Sequence, residues 1–216
     1  MPRWFALARL SRRRLGELFG ARAGRAYGVG IAVSHALLIL LLPKTTEASA
    51  VTELLKSGLV SASWAVAGFV SLSAARDLAA RDDGDGLTEL AATRGYDSRD
   101  LTLARFGAAA FVIAFWIFVP FTLLALLAAF RSSIAGAVWA LGWIGFVAFY
   151  VAILALTTSA LARIAARLYP SHGRSALGAF VLLPHLLHSA FPAVPSLPAA
   201  FGWLLEHGTG WLSVAS

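Results

Sequence analysis

Five histidines and eleven carboxylates are this chain's means of acid–base or metal chemistry, and it has no cysteine. His185 and His188 stand three residues apart, on one face of a helix that Pro184 loosens. A metal held between them needs at least a third ligand. His35 is the other imidazole within an apolar run, and no carboxylate lies inside any such run. There is no H-E-x-x-H. An intramembrane enzyme built on His35, His185 and His188 would therefore lack both a ligand set and a nucleophile–base pair. Packing histidines are the better reading, and no metal is expected. Gly84-Asp85-Gly86 is too short and too acidic to cradle a phosphate in the manner of G-x-x-x-x-G-K-S/T. The stripe Trp139, Trp143, Phe146 and Tyr150 is helix-spaced and reads as a packing or lipid-facing surface. Gly107, Gly136, Gly142 and Gly145 read as helix-packing positions.

The densest chemistry lies in residues 75–106, ARDLAARDDGDGLTELAATRGYDSRDLTLARF, which hold seven of the eleven acids. Turn residues punctuate this stretch rather than scatter through it. Asp85 reads as the N-cap of a helix whose first turn carries Glu89, and Gly95 as its left-handed stop. Asp97-Ser98-Arg99-Asp100 then caps a second helix that runs into an apolar segment. The expectation is a short helix over Leu87–Arg94, lying across the base of two longer ones.

Those longer elements are set by composition. Of 216 residues 59% are apolar and only 13% charged, against roughly 45–50% and about 25% in an average globular domain. So much apolar surface cannot be hidden from water in a domain of this size, and unbroken runs near the spanning length direct it to a bilayer. A disordered chain, a disulfide-stapled module and a conventional soluble enzyme are excluded. The net charge of +7 reports orientation rather than nucleic acid. Fifteen of the eighteen Lys and Arg residues fall before the first apolar run, between the second and third, or between the fourth and fifth; Lys44, Lys56 and Arg131 are left for the alternate loops. That bias puts the N-terminus in the cytoplasm.

The expected fold is an all-α integral membrane protein with five crossings over 27–42, 58–75, 106–130, 134–161 and 176–191. Residues 1–26 are expected to form an amphipathic interfacial helix that anchors the chain, with Arg12, Arg13 and Arg14 at the headgroups and Trp4 in the acyl boundary. Pro120 is expected to kink the third span. Residues 192–216, with three prolines in seven residues, are expected to form short external or re-entrant helices and not a sixth crossing.

The run Asp85-Gly86-Leu87-Thr88-Glu89-Leu90, then Ser98-Arg99, then Arg105, resembles the signature of ABC-2 type exporter permeases. That family carries Asp-Gly, a small residue, then Leu-Glu-Leu-Leu, followed by Pro-Val/Leu-Ser-Arg and a Lys or Arg opening the third span. Gly86, Glu89, Leu90, Ser98, Arg99 and Arg105 match; Leu87-Thr88 inverts the usual order, and Tyr96-Asp97 replaces Pro and an aliphatic residue. The likeness extends to the arginine-rich entry helix and the span order over residues 1–191.

The resemblance implies the membrane-spanning subunit of an ATP-driven exporter in a bacterial inner membrane, lacking the family's sixth span. It implies no enzymatic activity in this chain, a separate cytoplasmic ATPase that binds ATP and Mg, and a second permease chain, identical or not. Residues 85–99 would be the coupling segment. In it Leu87, Leu90 and Ala91 form an apolar ridge, and Glu89 and Arg94 supply rim charges. Arg99 and Arg105 anchor the return at the headgroups. Gly86 should accept proline and Gly95 should reject valine. Gly28, Gly30, Ser34 and Ser189 are the expected permease–permease contact. A non-transporting scaffold or regulatory subunit of a larger membrane assembly is the alternative.

Overall fold

A computed structural model describes residues 3–43, 46–131 and 136–210, with the side chains of residues 3 and 4 left aside. The described chain is helical throughout. Helix α1 spans Arg3–Glu17, α2 Phe19–Leu41 and α3 Ala48–Leu72. A single π turn, Ser73–Asp77, leads without interruption into α4, Leu78–Gly84. There follow α5, Leu87–Thr93; α6, Ser98–Arg131; α7, Ala137–Leu168; α8, Gly173–Ala190; and α9, Leu197–Gly208. Among the described residues four helices are long and apolar enough to cross a membrane: Phe19–Leu41, Ala48–Gly84, Ser98–Arg131 and Ala137–Leu168.

The boundaries depart from expectation where polar residues continue a helix. The expected interfacial segment 1–26 divides at Leu18, whose backbone is extended (φ −69°, ψ 141°). The arginines after it belong to the first turns of α2. Arg25 bridges the break, donating to the carbonyls of Gly16 and Ala21. The polar stretch before residue 58 is already helical from Ala48, because Lys56 and Glu53 pair at 2.6 Å across one helical turn. Ends expected at residues 134 and 216 lie outside the described residues, as does the side chain of Trp4.

Close approach, not side-chain size, joins α2 to α3. Gly20, Gly24 and Gly28 recur every four residues along one face of α2. A Cβ on Gly24 would come within 2.9 Å of Phe69, and one on Gly28 within 2.7 Å of Val66. Small residues at this spacing let backbones meet. Gly28 is thus spent inside the bundle and is not free for a permease–permease contact. Gly30 faces open space. Pro120 sits within α6, which remains helical through it; proline has no N–H for the Trp116 carbonyl. That carbonyl faces the glycine stripe, 3.8 Å from where a Cβ on Gly28 would be.

The core lies between α3, α6 and α7. Trp139, Trp143, Phe146 and Tyr150 are all buried in it, with successive ring centroids 6.3, 5.9 and 6.0 Å apart. The stripe is a packing surface. Trp139 donates its indole N–H to Thr52 at 3.1 Å. Phe201 of α9 meets Tyr150 edge-on at 5.4 Å and Trp64 at 6.1 Å, seating α9 on the bundle. At the end opposite the arginines, Arg131 donates to the Leu40 carbonyl at 2.7 Å and closes the C-terminus of α2.

Candidate functional site: a charged hub and the helix it carries

The second long helix carries its buried face past the apolar segment. Ser71, Ala75, Leu78 and Asp82 follow one another at spacings of four, three and four residues, and all are buried. The last is a carboxylate with 0% exposure. A buried carboxylate must be paired and hydrogen-bonded, and Asp82 is paired twice. Arg14 of α1 donates its Nε to Oδ1 at 2.6 Å, and Arg105 of α6 donates its Nε to Oδ2 at 2.8 Å. One carboxylate therefore ties three helices that are far apart in sequence.

Arg14 has further partners. Its Nη2 donates to Asp85 at 2.5 Å and to the Arg81 carbonyl at 3.1 Å. Burial disfavours the charged guanidinium, but the hydrogen bond to Asp85 and the field and hydrogen bond of Asp82 outweigh it, so the Arg14 pKa is raised. A second ring of ions surrounds this centre: Arg81 donates to Glu17 at 2.8 Å, and Arg13 stands 3.6 Å from Glu17. Arg174 at the start of α8 pairs with Asp77 in the π turn. Beside that pair, Gly173 lies so close to the Ala75 carbonyl that a Cβ there would collide with its oxygen.

Helix α5 hangs from this hub between two turns. Gly86 (φ +67°) and Gly95 (φ +76°) are the positive-φ residues of the described chain. Gly86, not Asp85, occupies the N-cap position, and no side chain caps the helix there. Asp85 ends α4 instead and spends its carboxylate on Arg14. Gly86 donates back to the Asp83 carbonyl at 3.1 Å while its own carbonyl accepts from Leu90 at 3.0 Å, so it closes α4 and opens α5 together. Thr88 donates to the Asp83 carboxylate at 2.6 Å and fixes the corner. At the far end Tyr96 donates to the Ala91 carbonyl and Gly95 to that of Ala92, both at 3.0 Å. That is the paired closure of a Schellman motif. Asp97 then accepts from the Asp100 N–H at 2.7 Å and donates its own N–H to the Asp100 carboxylate at 3.3 Å, a reciprocal capping box that starts α6.

No protein-family model, curated protein or solved structure matches this chain. The arrangement stands on its own geometry.

The residues singled out from sequence divide into two groups. On α5, Leu90 is 48% exposed between Glu89 and Arg94, which are exposed too. Leu87 is half-buried, and Ala91 turns inward and leaves the expected ridge. Ser98 and Arg99 are exposed on the first turn of α6. Arg14 and Arg105, expected at the headgroups, instead point inward onto Asp82. Arg12 and Arg13 remain on the exposed face of α1, Arg12 over the Phe111 ring at 4.8 Å. The opposite face of α1, Leu7, Ser11 and Leu15, is buried in the bundle, with Leu7 against Leu101 and Ala104 of α6. That docking holds α1 against α6.

Asp82 is the residue that sequence reasoning missed. Its signal was the continuation of the buried spacing through Ala75 and Leu78, which runs on past the end of the apolar segment. His185 and His188 serve the turn between α8 and α9. His188 pairs through Nδ1 with the Val194 carbonyl at 2.7 Å, and His185 lies 3.5 Å from the Ser196 hydroxyl that caps α9. Among the described residues no cluster of three or more His, Cys, Asp or Glu side chains is placed to hold a metal ion.

Proposed function

We propose that this chain is the membrane-spanning permease subunit of an ABC-2 type exporter, and that α5 is the coupling helix it offers to a separate ATPase chain. The observation that carries the proposal is the presentation of α5. A seven-residue helix, fixed by a turn at each end, holds Leu90 out to solvent between an acid and a base, beside an ion hub that joins α1, α4 and α6. An exposed leucine rimmed by opposite charges suits a cleft on a partner protein. Its attachment through Asp82 gives a push on α5 a stiff path into α4 and α6.

In this reading the ATPase holds ATP and Mg, and its closure moves α5 as a lever. The charged end of the bundle faces the cytoplasm. Helix α8, 18 residues long and therefore about 27 Å at 1.5 Å per residue, supplies a fifth crossing, and α9 is a re-entrant element beyond it. A second permease chain completes the pathway.

Leu90→Asp tests the proposal, because it places an unpaired charge in the apolar contact. The expected result is a protein that still inserts and unfolds at the wild-type temperature, while an ATPase that co-purifies with the wild type is lost. Co-purification unchanged by Leu90→Asp would overturn the assignment of α5. Isolation of the wild type with other membrane subunits and no ATPase would favour a scaffold.

A further inference from the structure

Where the long helix Ala48–Gly84, α6 and α7 part at the charged end, they leave a cavity of about 580 Å³. Sites for small ligands commonly enclose about 300–1,000 Å³. Four arginines line it, Arg99 and Arg105 from α6 and Arg163 and Arg167 from α7, and no carboxylate does. Asp82 already neutralises Arg105. Arg99, Arg163 and Arg167 have neither an ion pair nor a hydrogen bond with any described residue. Arg99 and Arg167 are exposed and Arg163 half-buried, so three unmatched cations rim one half-open recess and give it a positive potential that attracts an anion.

Two of the lining residues also carry a buried polar atom that is unsatisfied. Ser159 is 2% exposed, and its hydroxyl has no hydrogen-bond partner. The Arg105 Nη2 is buried without one, with the Asp83 carboxylate 3.8 Å away. Buried donors of this kind are normally satisfied. Phe106, Ala109, Ala162 and Ala166 make the rest of the wall largely apolar.

We propose that this cavity binds the phosphate of an anionic phospholipid, with Arg99, Arg163 and Arg167 around the phosphate and the glycerol and upper acyl carbons against Phe106 and Ala162. Guanidinium forks match phosphate oxygens two at a time. Basic recesses between membrane helices are suited to lipid headgroups on the side of the membrane where arginines concentrate. The apolar wall favours an amphiphile over a free anion. The site uses no residue of α5, shares Ser98 and Arg99 with the coupling segment 85–99, and does not depend on ATP-driven export.

The test uses the full chain, purified and delipidated in detergent, with three probes: phosphatidylglycerol, phosphatidylcholine of the same acyl chains, and inorganic phosphate. Thermal unfolding and native mass report binding. Phosphatidylglycerol should raise the unfolding midpoint and remain as bound mass; phosphatidylcholine and inorganic phosphate should do neither. Arg163→Gln with Arg167→Gln should weaken phosphatidylglycerol binding by at least about tenfold, since each loses a charge-assisted contact. Arg22→Gln with Arg76→Gln, which removes equal charge at the same end but outside the cavity, should change it less than about twofold.

Retention of phosphatidylglycerol by the cavity variant, or equal loss in the control pair, would overturn the site. An equal response to inorganic phosphate would overturn the lipid as its occupant. If the cavity variant fails to fold, the single exchange Arg167→Gln, at an exposed side chain, carries the same test. Binding weakened about threefold, the worth of one net hydrogen bond, supports the site, and unchanged binding overturns it.

Discussion

Asp82 sits fully buried with Arg14 and Arg105 each donating to one of its oxygens. Removing the carboxylate leaves two guanidiniums facing each other in a confined space. Asp82→Ala should therefore destabilise the solubilised chain by about 3–5 kcal/mol, the usual cost of breaking a buried pair by deleting one partner. Replacing all three residues by apolar ones of similar volume should restore most of that loss. Denaturant unfolding of the single and triple variants distinguishes a stabilising hub from a merely tolerated one. The raised pKa of Arg14 carries a pH expectation of its own. Its contribution is complete below the ordinary arginine range and is lost only as pH climbs through the raised value. An alkaline titration that stops at the lysine range should leave the Arg14 pairs intact, read as an unchanged unfolding midpoint in a lysine-free background.

Residue-scale reading also corrects a substitution. Sequence suggests that Gly86 tolerates proline at a helix start, but its φ of +67° is one that proline, locked near −65°, cannot adopt. Gly86→Pro and Gly95→Val should each lose about 1–3 kcal/mol, although neither glycine has a neighbour that a Cβ would touch. Alanine at either position should cost less than valine or proline. Equal unfolding midpoints for Gly95→Ala and Gly95→Val would show that crowding of the branched side chain contributes nothing.

At the scale of elements, the turn grammar of residues 85–100 is legible in sequence because capping and left-handed glycine are local chemistry. Gly95 and the Asp97–Asp100 exchange follow from residues that touch within one turn. What is not legible is anything set by a partner far along the chain. Arg14 looks like one more headgroup arginine until α1 docks on α6 through Leu7, and Ala91 looks like part of the exposed ridge until the fold buries it. The glycines Gly20, Gly24 and Gly28 are visible, but their destination is not. Spacing alone does not tell a contact within the chain from one between chains.

The junction of α8 with the π turn gives an element-scale prediction. At Gly173 the obstacle to a side chain is the backbone carbonyl of Ala75, which no rotamer change can move. Gly173→Ala should cost about 1–3 kcal/mol as overpacking and separate Arg174 from Asp77. Gly178→Ala, five residues along in a position with nothing near its Cβ, should be close to neutral. Similar unfolding midpoints for the two would mean that α8 is not held by this contact.

For the whole molecule, composition suffices to recognise a helical chain directed to a bilayer, and the four long apolar helices are present in the fold. Orientation can be read with single cysteines, because the chain has none. Ser49→Cys at the start of α3 and Ala92→Cys on α5 occupy exposed positions at opposite ends of the bundle. They should react with an impermeant thiol reagent from opposite sides, Ala92→Cys from the cytoplasm. His207→Cys on α9 then reports on α8: labelling with Ser49→Cys means that α8 crosses, and labelling with Ala92→Cys means that it does not.

The double pairing of Asp82 also fixes an order of events during synthesis. The ribosome delivers Arg14 sixty-eight residues before Asp82, and Arg105 only twenty-three residues after it. When Asp82 emerges, one counter-ion is therefore already waiting on α1, and the carboxylate need not stand alone while the next apolar segment is being made. Helix α6 later brings the second cation to a half-built site. Without α1, Asp82 would keep only Arg105 of its two counter-ions. Arg14 is thus made before the carboxylate that it ties in the finished bundle.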